Sequence, residues 1–205
     1  MTKRDFRKTD KIFYAGKPGQ WDLIDLPAAT YLMINGKGAP EGAEYAAALG
    51  ALYPLAYAIK FAAKADGADF VVPPLEATWW AQDHSAFVQG DRAQWEWNVM
   101  LRMPDTIGAG ALDAARAKQL KKGKADPEWL ARARVEPYAE GQVFQTLHIG
   151  PYSAEGPILK HLHDIVMPDA GMTFGKPHHE VYLSDPRRTA PEKLKTILRQ
   201  PVIPV

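Results

Sequence analysis

The 205-residue sequence predicts an α+β protein made of two copies of a βαββ unit, with a helical insertion between them. Three blocks of sequence recur in the same order along the chain. Within each copy the apolar period changes from two to near 3.6 and back again, and each helical stretch ends in glycine. Fixed-order repetition with similar spacers is the mark of a duplicated structural unit, here with the copies expected about a pseudo-twofold axis.

The first block sets "NGKGAPEG" from Asn35 over "IGPYSAEG" from Ile149, matching Gly36 with Gly150 and Glu41-Gly42 with Glu155-Gly156. The second sets "GADFVVPPLE" over "GMTFGKPHHE", so that Gly67, Phe70, Pro73 and Glu76 match Gly171, Phe174, Pro177 and Glu180. The third sets "LRMP", ending at Pro104, over "LRQP", ending at Pro201.

Each copy opens on a strand, "ATYLMIN" or "VFQTLHI", rich in β-branched and aromatic residues and stopped by glycine. A helix follows. In copy two Ile158, Leu159, Leu162, Ile165 and Val166 make one apolar face; in copy one the stripe is Leu52, Leu55, Ile59 and Ala62, with a kink expected at Pro54. Next come extended segments, "FVVPPLEATWW" and "FGKPHHEVYL", whose prolines suit strand starts or edges. "WEWNVMLRMP" alternates like a strand. Its counterpart "EKLKTILRQP" has the propensity of a short helix, but the repeat makes it a strand too. The reading is a single domain over 1–205, with copy one at about 21–105, the insertion at about 108–137 and copy two at about 141–205. In the insertion Asp126 is the expected N-cap and Pro127 the first helical residue; its Lys118, Lys121, Lys122 and Lys124 form a solvated face.

Composition narrows the function. A net charge of +1 gives no electrostatic reason to expect nucleic acid or an anionic membrane as partner. The absence of cysteine excludes disulfides, thiolate metal sites and a cysteine nucleophile. The polar, basic "MTKRDFRKTDK" is no signal peptide, and a cytoplasmic location is expected. Four of the six tryptophans fall between residues 79 and 97, which points to an aromatic-lined site beside ordinary core filling.

Strand alternation puts His178, Glu180 and Tyr182 on one face, and His179, Val181 and Leu183 on the other, toward the helices. The same parity sends Glu76, Thr78 and Trp80 to the open face of copy one. Two acids and several aromatics are thus expected in a shared hollow near the pseudo-twofold axis. An acid walled by rings loses solvation, its pKa rises, and it can serve as a general base near neutral pH; the rings would hold a flat or cationic ligand. The competing role for Glu180 is a salt bridge with Arg187 or Arg199. Tyr152, at the helix entrance, can reach the cleft; Trp97 sits on the core face by parity unless a bulge intervenes. "NGKGAPEG" fits neither dinucleotide nor P-loop fingerprint. His178-His179 and His161-x-His163 point apart on strand and helix, so no metal and no other cofactor is expected.

Taken together, "PPLEATWW", "IGPY" leading into a helix, "HHEVYLSDPRR" and "KLKTILRQPV" resemble the GyrI-like small-molecule-binding family, in its stand-alone branch, over nearly the whole chain. The resemblance implies two SHS2 modules of βαββ form around a ligand cleft, and an acidic ligand-contacting residue that falls on Glu180. Some stand-alone members are cyclopropanoid cyclopropyl hydrolases, which open a strained ring in DNA-alkylating compounds. By that resemblance Glu180 would orient or deprotonate water, with Tyr182 beside it, and Trp80, Glu76, Tyr152, Trp97 and His178 would contact a flat hydrophobic xenobiotic. The alternative it leaves open is a non-catalytic protein that sequesters or senses such a ligand. DNA binding is not expected, since fewer than about 20 residues precede the repeat, too few for a helix-turn-helix.

Overall fold

A computed structural model describes residues 3–82 and 91–205. In chain order the strands are β1 (Asp22–Leu26), β2 (Ala29–Lys37), β3 (Leu75–Trp80), β4 (Glu96–Arg102), β5 (Arg134–Tyr138), β6 (Gly141–Ile149), β7 (Met172–Phe174), β8 (His178–Tyr182) and β9 (Lys195–Pro204). The helices that matter here are α1 (Ala43–Ala65), α2 (Ala109–Lys122), α3 (Pro127–Arg132) and α4 (Gly156–His161). The protein is α+β, and its chain divides into two compact units.

Unit one takes the described residues of 1–9, 29–73 and 77–138. Its βαββ path is β2, α1, β3, β4, and its strand order is β3-β4-β2-β5. β2 lies antiparallel to β4, from Tyr31 opposite Arg102 to Lys37 opposite Glu96. The continuous burial of Tyr31 to Ile34 suits a central strand covered on both faces. α1 buries Leu52, Leu55, Ala56 and Ile59 and runs on through Pro54. By length and hydropathy α1 could cross a membrane; here its first turn supplies Tyr45 to an aromatic core. Tyr45 stacks on Trp79 at 5.7 Å and meets Trp97 edge-on at 5.1 Å, while Trp97 stacks on Trp129 of α3 at 6.3 Å. The strand residue opposite Trp97 is Gly36. Any Cβ there would fall 2.4 Å from the Trp97 ring, so the indole dictates the glycine.

The insertion holds α2 and α3 as expected, with the Asp126 carboxylate accepting from the Glu128 amide at 2.8 Å and Pro127 in the first helical position. It also ends in a strand that sequence reasoning missed. β5 pairs with β2, and Pro137 is tolerated because β5 has a partner on one side only within the unit.

Unit two takes residues 10–28, 74–76 and 139–205. Its βαββ path is β6, α4, β8, β9, ordered β8-β9-β6-β1, with β7 on the end of β9. In both units the second strand of the βαββ path lies beside the third, and the third beside the first; the duplication read from the sequence is therefore real at the level of topology. "LKTILRQP" is strand, as the repeat required. β1, inside the stretch assigned to copy one, belongs to unit two, paired with β6 from Asp22–Gln145 to Leu26–Gly141.

One expectation fails here. Phe144 of β6 packs with Leu162 and Met167 of the α4 region and with Val202 of β9. Phe144 lies opposite Gln200 and Glu180 opposite Leu198, two residues along β9, so Phe144 and Glu180 share a face. The helix of unit two therefore lies on the Glu180 face, not on the face of Val181 and Leu183. The opposite face is covered by the N-terminal segment: Gln145 donates to the carbonyls of Ile12 and Ala15, and Arg199 to that of Phe13.

Candidate functional site

Alternation along β8 places His178, Glu180 and Tyr182 half-buried on one face, with His179 and Val181 fully buried on the other. Thr196 lies opposite Tyr182 on β9 and shares its face. The turn after β6 brings in the remaining groups. Gly150 adopts φ 144°, and a Cβ there would fall 3.3 Å from the His148 ring, whose Nε2 in turn is 3.1 Å from the Pro151 carbonyl. That brace fixes the path of Pro151 and delivers Tyr152 edge-on to Tyr182, with ring centroids 5.6 Å apart. Glu155, just before α4, is 5% exposed.

The electrostatics of this cluster are unusual. Burial, and then the negative charge of Glu180, push the Glu155 carboxyl up to about 9; Thr196 works in the other direction. Oε1 of Glu155 is buried without a hydrogen-bond partner, and the Thr196 hydroxyl that opposes the shift does so by hydrogen bonding to the same carboxyl. Burial also pushes the Tyr152 phenol up to about 12, helped by Glu180, Glu155 and Asp185. His163, in the π-helical turn Leu162–Val166 that continues α4, is pulled down to about 4 by burial and then by His178. Its ring lies 4.9 Å from Phe174. His178 Nε2 is 3.6 Å from Glu180 Oε1, too far for a hydrogen bond, and neither ring nitrogen of His178 has a partner. Several polar atoms hidden from bulk water and left unsatisfied mark a place where a ligand or solvent can complete the bonding.

Four of the residues singled out from the sequence thus come together: Glu180, Tyr182, Tyr152 and His178. Three do not. Glu76, expected to face the hollow with Glu180, is 0% exposed and contacts the opposite face of β8: its Oε1 accepts from the Tyr14 hydroxyl at 3.3 Å and its Oε2 lies 3.2 Å from His179 Nε2. The match in sequence between Glu76 and Glu180 therefore does not carry over to the face of the sheet, since with a period of two the face depends on strand register and not on the motif. Trp97, expected as a ligand contact, is completely buried in the core of unit one, its Nε1 donating to the Gly38 carbonyl. Trp80 belongs to unit one, where it donates to Glu96 at 3.1 Å. Glu96, but not Trp80, lines a surface hollow of about 520 Å³ together with Asn35, Gly36, Lys37, Glu44 and Arg132, none of them a member of the acid cluster.

The salt-bridge role weighed for Glu180 finds neither of its named partners, because Arg199 is on the other face and pairs with Glu140 at 3.0 Å, and Arg187 pairs with Asp185 at 3.0 Å. Glu155, Thr196 and His163 escaped sequence reasoning. For Glu155 a signal existed, since it recurs opposite Glu41 in the repeat, but its counterpart behaves differently: the Glu41 side chain is 63% exposed and pairs with Arg92 at 2.9 Å. Among the described residues no group of three or more His, Asp or Glu side chains is placed to hold a metal ion. The arrangement offers an aromatic edge pair for a flat molecule and two acids, one of which has its affinity for a proton raised by burial and by the other.

A family model described as the GyrI-like small molecule binding domain matches residues 20–203. The chain is 40% identical to an uncharacterized conserved protein from Listeria innocua, covering 98% of this chain and 100% of that one with a TM-score of 0.89. It is 39% identical, with the same coverage and a TM-score of 0.84, to a protein from the same organism described as a hydrolase. The C-terminal domain of EcmrR, 12% identical over 91% of this chain and 98% of that one with a TM-score of 0.58, shares the fold. No match was found among curated proteins.

Proposed function

Because the chain belongs to the GyrI-like small-molecule-binding domain family, we propose that it takes a flat, hydrophobic ligand against Tyr152 and Tyr182 and hydrolyses an electrophilic ring in it. The observation that carries this reading is Glu180 itself, an acid 15% exposed, on the face of β8 that carries Tyr182, whose ring meets that of Tyr152, and close enough to Glu155 to raise its carboxyl. In the proposed step Glu180 takes a proton from water as its oxygen bonds to a ring carbon. The ring bond breaks, and its electron pair passes into the ligand's conjugated acceptor, which is then protonated. Such a site asks only for orientation by stacking and a base within reach. A similar protein described as a hydrolase supports turnover over mere capture. A cyclopropanoid DNA-alkylating compound is the substrate class, and detoxification the role.

The test is incubation with a cyclopropanoid alkylator, following ring-opened product by mass spectrometry, with Glu180→Gln alongside. Product that disappears in the variant while ligand still binds supports the enzyme. Tight binding without product in either protein would make this a sequestering or sensing protein instead.

A further inference from the structure

Glu155 is buried with no hydrogen bond to Oε1, and the charge acting on it is the negative one of Glu180. An ionised carboxylate in that position would be desolvated beside a like charge, which a fold does not tolerate without a cation. Unit one shows the contrast, since Glu41 at the matching position reaches solvent and Arg92. The groups facing Glu155 are Glu180 from β8, Thr196 from β9 and Tyr152 from its own turn, where Asp185 also acts. Thr196 contributes a buried hydroxyl that hydrogen-bonds to the Glu155 carboxyl, and the Tyr152 phenol keeps its proton. The cluster therefore gathers proton donors around one carboxylate.

We propose that the buried Glu155 carboxyl, with Oε1 left open, donates a proton to an oxygen of the bound ligand while Glu180 acts as the base. This rests on the binding site proposed above and narrows its ligand: a planar molecule with a carbonyl-type acceptor, opened by a reaction that drives negative charge onto that oxygen. Water's proton goes to Glu180, the water oxygen bonds to the ring carbon, the ring bond's electrons reach the ligand oxygen, and the Glu155 proton neutralises it. Proton exchange with solvent then resets both carboxyls. Glu155 would be a catalytic residue in that reaction and a specificity residue in binding.

Two measurements test it. Infrared difference spectra of wild type and Glu155→Gln near neutral pH should show a protonated-carboxyl band that is absent from the variant; a wild type without that band overturns the inference whatever Glu180 does. Binding of 9-fluorenone and of fluorene, which share a planar frame but differ in the carbonyl, is then compared by fluorescence quenching. Wild type should favour the ketone by about tenfold, and Glu155→Leu should lose that preference while still binding fluorene. Equal affinity of wild type for the two overturns the donor role. With an alkylating substrate, Glu155→Gln should bind normally and turn over about a hundredfold more slowly; undiminished turnover would sink the acid role, whereas undiminished turnover in Glu180→Gln would sink the hydrolytic reading instead.

Discussion

Nδ1 of His179 lies 2.8 Å from Oε1 of Glu140, with the histidine fully buried, on the face of β8 turned away from Glu180. Arg199 completes the group at 3.0 Å from Glu140 Oε2, and its Nε donates to Gln145 at 2.5 Å. Glu76 reaches the same histidine from its other nitrogen. Two acids facing two bases satisfy one another where water cannot, and they tie the N-terminal segment, through the Phe13 carbonyl, to β9.

Breaking that network should be costly. Burial opposes the ionised form of Glu140, but His179 and Arg199 outweigh it and hold its carboxyl down at about 2. A depressed acid contributes stability above its ordinary value near 4.5 and loses it as pH falls toward 2. Glu140→Gln, which leaves Arg199 and His179 without their counter-charge, should cost about 3–5 kcal/mol in urea unfolding at neutral pH and flatten the acid limb of the stability curve.

Glu155 has the opposite sign. Its carboxyl is raised to about 9 in the folded chain, so between about 4.5 and 9 the unfolded state has released a proton that the folded state retains. Its contribution to stability is complete below 4.5 and declines as pH rises through that range, by at most about 1.4 kcal/mol per pH unit. The Tm of Glu155→Gln relative to wild type should therefore climb steadily from pH 5 to pH 8. A constant difference would show that Glu155 ionises normally.

Tyr152 and Trp97 separate the proposed ligand face from the core. Tyr152→Ala removes the more exposed ring of the pair and should weaken binding of a planar aromatic dye by about tenfold with little change in Tm. Trp97→Phe, deep in unit one, should lower Tm and leave dye affinity unchanged.

Gly36→Ala tests how tightly the aromatic core of unit one is fitted. The new methyl would fall on the Trp97 indole, which is itself held by Tyr45 and Trp129. Overpacking of this kind should cost about 1–3 kcal/mol in chemical denaturation.

Much of this protein could be read from its residues. Periods of two and 3.6, glycines such as Gly67 and Gly171 with φ of 83° and 66° at the helix ends, and the Asp126-Pro127 cap are local, so each βαββ path and the helical insertion were legible. The repeat even corrected propensity at Lys195–Pro204. Alternation likewise put His178, Glu180 and Tyr182 together, because neighbours along a strand are set by backbone geometry alone.

What lay outside the sequence was which side of each strand the rest of the chain would cover. The matched acids Glu76 and Glu180 share a pattern of letters but not a face, and only strand register decides that. Glu41 and Glu155 share a position in the repeat, yet one meets an arginine in solvent and the other meets a carboxylate away from it. The sequence by itself determined the elements and their order, since these follow from interactions a few residues long; tertiary packing decided the surroundings of the acids, since a carboxyl's hold on its proton depends on groups brought near it from distant strands.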